Sequence, residues 1–171
     1  MALVVETGEG LGGAESYVSV ADCAAFASAR GLTFPASPEA SAEAALRRAT
    51  AWVDATYRSR FPGQRRRQRD QALEWPRIDA CDREGYAIDY DSVPSEIVIA
   101  TCEAAVRELA VPGSMAPDLE RGGAIKRVKA GSVEVEYSGA ADATTTFSVV
   151  DNALGPILRR ATPFTARAVR G

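Results

Sequence analysis

The sequence of 171 residues contains no histidine. That absence removes the Ser-His-Asp triad, the Cys-His dyad, histidine-based zinc sites and the usual general base. Carboxylates or lysine can replace histidine, but nothing in the sequence selects a pair. The expectation is a protein that is not an enzyme, with no catalytic residue, no metal and no cofactor. Cysteine is scarce as well. Cys23, Cys81 and Cys102 lack metal-ligand spacing, and an odd number argues against a disulfide framework and for a reducing compartment. No apolar run approaches the ~20 residues of a membrane span, and no basic-then-apolar opening suggests a secretory signal. Leucine is sparse and alanine supplies much of the 46% apolar content, so the core should be thin. A thin core beside long loops suggests that association with other subunits completes the stability.

What is present fits one domain plus tails. The net charge of −3 excludes a general polyanion binder, yet it conceals patches. Arg65, Arg66, Arg67 and Arg69 form one basic cluster, and Arg159, Arg160, Arg167 and Arg170 form another. Asp79, Asp82, Glu84, Asp89 and Asp91 lie between them. The first cluster is either a solvated or intersubunit salt-bridging loop or a phosphate contact. Four arginines without interleaved aromatics signal nucleic acid only weakly. The acids miss the calcium-loop spacing and read as an exposed loop, with Tyr86, Ile88 and Tyr90 alternating as in a short strand.

The organising stretch runs over residues 71–109. It opens on an apolar plug, Ala72-Leu73-Glu74-Trp75-Pro76, too short and proline-stopped for a helix. Leu73 and Trp75 must be buried, and the nearest apolar surface is the helix beginning near Pro94. There Val98, Cys102, Ala105 and Leu109 recur at helical spacing, widened by Ile97, Thr101 and Ala104. Leu73, Trp75, Val98 and Cys102 are the expected core anchors.

Other elements follow from local signals. Ser19 caps a helix over residues 20–30, with Asp22 as an acidic capping-box partner. A second helix spans about 37–60, with Ala45, Leu46, Ala49, Val53 and Tyr57 in period and Trp52 beside them. Trp52 and Tyr57 read as core volume in preference to base-stacking groups. Gly8, Gly10 and Gly13 satisfy G-x-G-x-x-G, but an extended segment follows where a dinucleotide site needs a helix, so they read as a flexible glycine arm. Residues 124–137 read as a hairpin, basic on its first strand and acidic on its second. Ser148 caps a last helix over 149–160, limited by Pro156. The tail 161–171 lacks a core pattern and should order only on a partner. The fold class is thus mainly α: a small helical bundle with a β-hairpin insertion and extended N- and C-terminal arms. The arm covers 1–18, the helical domain 19–158 and the tail 159–171.

Several of these residues also carry a family resemblance. Ala14-x-Ser16-Tyr17-x-Ser19, Ala45-x3-Ala49-Thr50 before Trp52 and Asp54, Gln71-Ala72-Leu73-x-Trp75-Pro76-Arg77, Val93-Pro94-x-Glu96-Ile97 followed by Ala100-Thr101-Cys102-Glu103, and Leu119-x-Arg121-Gly122-Gly123 stand in order along the chain. Together they resemble the small phage proteins labelled DnaT-like putative single-stranded-DNA-binding proteins. Members look like head-tail connectors, adaptors beneath the portal of tailed phages. The resemblance therefore implies a structural virion protein of the neck, made in the host cytoplasm. It implies a homo-oligomeric ring, commonly of twelve, with the phage portal protein and a stopper or tail protein as partners. DNA would pass through the channel without specific binding. The tail would then meet the portal through Arg159, Arg160, Phe164, Arg167 and Arg170. The alternative is the literal label, a single-stranded-DNA-binding protein touching phosphates through Arg65, Arg66, Arg67 and Arg69.

Overall fold

A computed structural model describes residues 2–115, 127–130, 133–136 and 147–159. The architecture is mainly α with one two-stranded hairpin and an extended N-terminal arm. Its helices are α1 (Val20–Ala29), α2 (Glu39–Tyr57), α3 (Ser95–Ala110) and α4 (Ser148–Leu154). Two short antiparallel pairs accompany them. Strand β1 (Gln64–Arg65) pairs with β2 (Arg77–Ile78), and β3 (Arg127–Ala130) pairs with β4 (Val133–Glu136). The second register sets Arg127 opposite Glu136 and Lys129 opposite Glu134.

Helix α3 packs between α2 and α4. Small side chains make the close approach: Ala42, Ala45 and Ala49 of α2 and Ala100, Ala104 and Ala105 of α3 are all fully buried. The buried stripe of α3 centres on Ile97, Thr101, Ala104 and Glu108, while Val98 and Leu109 sit half-buried at its edge. A glutamate in the stripe is tolerated because it is fully bonded. Glu108 accepts from Arg48 Nε (2.6 Å), Gly113 N (2.7 Å) and Met115 N (3.3 Å). It thereby ties α2 to the turn that ends α3, and satisfies amides beyond the helix that would otherwise be orphaned.

Cys23 and Cys102 are both buried, and the Cys102 thiol, together with burial, pushes the Cys23 thiol up. Trp75 is fully buried, edge-on to Phe61 with ring centroids 5.7 Å apart. Leu73 and Trp75 share one core cluster with Ile97 and Cys102.

Local expectations are corrected at two places, the last helix and residues 86–90. The last helix ends at Leu154, well short of 160, and Ser148 is its first residue and not its cap: Phe147 holds the cap position with no side-chain cap bond, and its carbonyl accepts the first helical bonds from Val150 N (2.9 Å) and Asp151 N (3.0 Å). Gly155 and Pro156 stop it there. Asp151 accepts the Tyr57 hydroxyl instead (2.7 Å) and clips α4 to the end of α2. Tyr86, Ile88 and Tyr90 form no strand: the pairing there is a single bridge between Cys81 and Ala87. Asp82 explains this, because its carboxylate accepts the amides of Glu84 and Tyr86 (both 2.9 Å) and closes a tight turn. The hairpin's turn and the tail 160–171 lie outside the described residues.

Candidate nucleic-acid interface

The arginine cluster sits on a loop closed at its base by the β1–β2 pair and by Arg66 N donating to the Pro76 carbonyl (3.1 Å). Its interior is braced by one buried amide. Gln71 Nε2 donates to the carbonyls of Leu73 (2.8 Å) and Pro76 (3.0 Å), and its Oε1 accepts from Arg67 N (3.2 Å). Beneath it lies Arg77, whose guanidinium donates to the carbonyls of Pro62 (2.6 Å), Gly63 (3.0 Å) and Glu74 (3.1 Å) and to the Glu74 carboxylate (2.9 Å). Burial lowers the Arg77 pKa, and the Glu74 carboxylate opposes that shift.

The glycine arm forms the loop's other support, and it is not a loose tether. The Glu6 carboxylate, buried, accepts from Gly8 N (2.9 Å), Gly10 N (2.9 Å) and Leu11 N (2.7 Å). The glycine-rich turn does cradle an anion, but the anion is the chain's own carboxylate, and no helix opens at Gly13. Wrapping Glu6 turns two carbonyls toward the arginines. Gly8 O accepts from Arg66 (2.7 Å) and Glu9 O from Arg67 Nε (2.8 Å). Arg65 donates to Gln71 O (3.2 Å).

These partners are neutral. Among the described residues none of Arg65, Arg66, Arg67 and Arg69 forms an ion pair, whereas Arg47, Arg48 and Arg77 each meet a carboxylate. A guanidinium oriented by carbonyls keeps its full charge for an incoming anion. Arg66, Arg67, Gln68, Arg69 and Asp70 line an open recess of about 500 Å³. Tyr90, brought from the acidic loop, lies under Arg66, with the guanidinium 5.2 Å from the ring centroid. Sequence distance conceals that aromatic, 24 positions away from its arginine.

The site is anchored to the core by a buried polar knot. Tyr17 donates its hydroxyl to Asp54 Oδ1 (2.6 Å) and accepts from Trp75 N (3.1 Å), while Asp54 Oδ2 accepts from Glu74 N (3.0 Å). Arm, α2 and plug meet at these four residues. Burial pushes the Asp54 carboxyl up to about 6, against the downward pull of the Tyr17 hydroxyl and Glu74 amide.

The second arginine group is not brought here. Arg159 is exposed, and its amide donates to Arg60 O (2.8 Å). Arg160, Phe164, Arg167 and Arg170 fall outside the described residues. Among the described residues no cluster of acids and cysteines could hold a metal, and no helix is long and apolar enough to cross a membrane.

A family model described as "Putative DnaT-like ssDNA binding protein" matches residues 1–171. No curated protein and no solved structure matches. This overturns the head-tail connector reading. The match along the whole chain is to a DNA-binding description, which is the alternative reading, and nothing matched is a virion connector.

Proposed function

Because the chain belongs to the putative DnaT-like single-stranded-DNA-binding family, we propose that it binds single-stranded DNA, with the arginine loop as its phosphate contact. The family match over 1–171 is the observation that carries this reading. The geometry adds a mechanism. Residues 58–69 hold six arginines and no acid, so the negative whole-chain charge does not describe the surface a strand would meet. Arg66 and Arg67 are pre-aimed by carbonyls, which lowers the entropy lost when a phosphate is engaged. Exposed Arg69, with no partner among the described residues, can follow the strand.

Fluorescence anisotropy of a labelled oligodeoxynucleotide across a salt series tests this. The wild type should bind, with log K falling linearly as log salt rises. Replacing Arg67 and Arg69 by serine should weaken binding and reduce the slope by roughly 1.4, because each lost phosphate contact removes about 0.7 on a single strand. Both side chains are exposed, and the only side-chain bond lost among the described residues is the exposed one from Arg67 to the Glu9 carbonyl, so the fold should be kept. A wild-type protein that leaves the oligonucleotide free at about 50 mM salt sinks the reading.

A further inference from the structure

Tyr86 and Tyr90 are the most exposed large rings among the described residues, at 69% and 57%. Ile88 between them turns inward and is half-buried against the core. Tyr90 differs from Tyr86 in having a cation set over its face. Arg66 is held there by Gly8 O through its side chain and by Pro76 O through its amide. Ring and guanidinium are thus pre-assembled, with much of the ring still open to solvent. The same Arg66 lines the recess shared with Arg67 and Arg69. An aromatic face therefore borders a cationic recess, through one residue common to both.

Exposed Asp89 and Asp91 flank Tyr90 in sequence. The recess lining holds three arginines, Arg66, Arg67 and Arg69, against one acid, Asp70. A phosphate is drawn to guanidinium groups and repelled by carboxylates, whereas a neutral base suffers no such repulsion. Those charges favour a strand with its backbone over residues 66–69 and a base on residue 90.

We propose that Tyr90, with Arg66 behind it, is a stacking platform for one unpaired base whose neighbouring phosphates sit on Arg67 and Arg69. The platform makes the site prefer single strands to duplex. It rests on the reading of the arginine loop as a DNA contact. A duplex keeps its base faces stacked on one another and can offer Tyr90 none without unstacking. A single strand offers one at little cost, and stacking on an aromatic ring tolerates any base.

The test compares a single-stranded oligonucleotide with a hairpin duplex of the same length, for the wild type, Tyr90→Ala, Tyr90→Phe and the Arg67→Ser/Arg69→Ser protein. Tyr90→Ala should weaken single-strand binding by roughly 5- to 160-fold, as removal of one stacking ring does. It should leave the salt slope and the weaker duplex binding as they were. Tyr90→Phe, which keeps the ring, should recover the loss. The double serine variant should instead lower both ligands together and flatten the slope. If Tyr90→Ala weakens single strand and duplex equally, or weakens neither while the serine variant still does, the platform is overturned and the arginine reading survives. If the wild type binds neither ligand, both readings fall.

Discussion

The helical side and the looped side of this molecule are held together by different means. On the helical side, α2, α3 and α4 satisfy their backbones internally, and alanines let the helices close on one another. Many small contacts share the stabilisation. On the looped side, residues 2–18 and 61–94 have almost no regular structure to satisfy their amides and carbonyls. Four polar side chains, each at most 8% exposed, supply the missing partners; they belong to Glu6, Asp54, Gln71 and Arg77. Each binds two or more partners, several of them far along the chain. Buried backbone groups must be paired somewhere. Where no ladder does it, the burden falls on a few residues, and the loss of any one of them is strongly destabilising.

The largest effect should come from the looped side's one tryptophan. Trp75→Ala should cost about 3–5 kcal/mol in a denaturant titration, as removal of a buried aromatic does. Its indole Nε1 has no hydrogen-bond partner among the described residues. The stabilisation is therefore packing, and Trp75→Phe should lose far less than Trp75→Ala. Equal losses would mean that the indole N–H is satisfied after all.

The next effect concerns two buried helix carboxylates displaced in opposite directions, Asp54 of α2, which bonds the looped side, and Glu108 of α3, which bonds the helical side. Asp54→Ala would strand the Tyr17 hydroxyl and the Glu74 amide, for about 2–4 kcal/mol. Its pH signature is unusual for an aspartate. Burial raises the Asp54 carboxyl to about 6, above its ordinary 3.8. Between those values the folded protein holds a proton that the unfolded chain has released, so stability falls as pH rises through this window, by at most about 1.4 kcal/mol per pH unit. Glu108 behaves in the reverse sense. Burial alone would raise it, but the Gly113 and Met115 amides and Arg48 together hold it below its ordinary value. Its contribution is present above the ordinary glutamate range and is lost as pH falls through its lowered folded value. Glu108→Gln should cost about 1.5–3 kcal/mol at neutral pH, the worth of hydrogen bonds to a charged group. Asp54→Asn should flatten the stability profile between pH 4 and 6. Glu108→Gln should flatten its acid limb. Parallel changes in the two profiles would refute the assignment.

The same division explains what the sequence made legible. Helical period located α1, α2 and α3 to within a few residues, because alanine, valine and leucine at 3–4 spacing have few other readings. The plug was legible too, since Trp75 and Leu73 beside Pro76 leave burial as the only outcome. The arginine site was half visible. The arginines announced themselves, but their carbonyl partners and Tyr90 did not, because contacts across 24 to 58 positions leave no local pattern. The glycine motif misled in the other direction. Its spacing suggested either a nucleotide loop or a loose arm. The missing signal was Glu6, two residues before the first glycine, which supplies the anion itself. In the last helix Ser148 is a plausible cap by type, yet the helix begins at Ser148 itself, with Phe147 in the cap position, and Asp151 accepts the Tyr57 hydroxyl.

The smallest effect separates backbone conformation from close packing. Gly8 and Gly85 share nearly the same left-handed backbone, at φ +102° and +94°. Gly85 has nothing within 4 Å of where a side chain would begin. Gly85→Ala should therefore lose only the conformational term, about 1 kcal/mol, and leave DNA binding untouched. At Gly8 an added methyl would overlap the Asp91 carbonyl, backbone that cannot swing aside as a side chain can. Gly8 also presents its carbonyl to Arg66, so relief of that overlap must shift either the loop carrying Tyr90 or the support of Arg66. Gly8→Ala should thus lose more stability than its twin and weaken single-strand binding besides. If the two alanine variants prove equal in both respects, the arm does not hold the arginine loop in place, and Arg66 must owe its position to the Pro76 carbonyl and Tyr90.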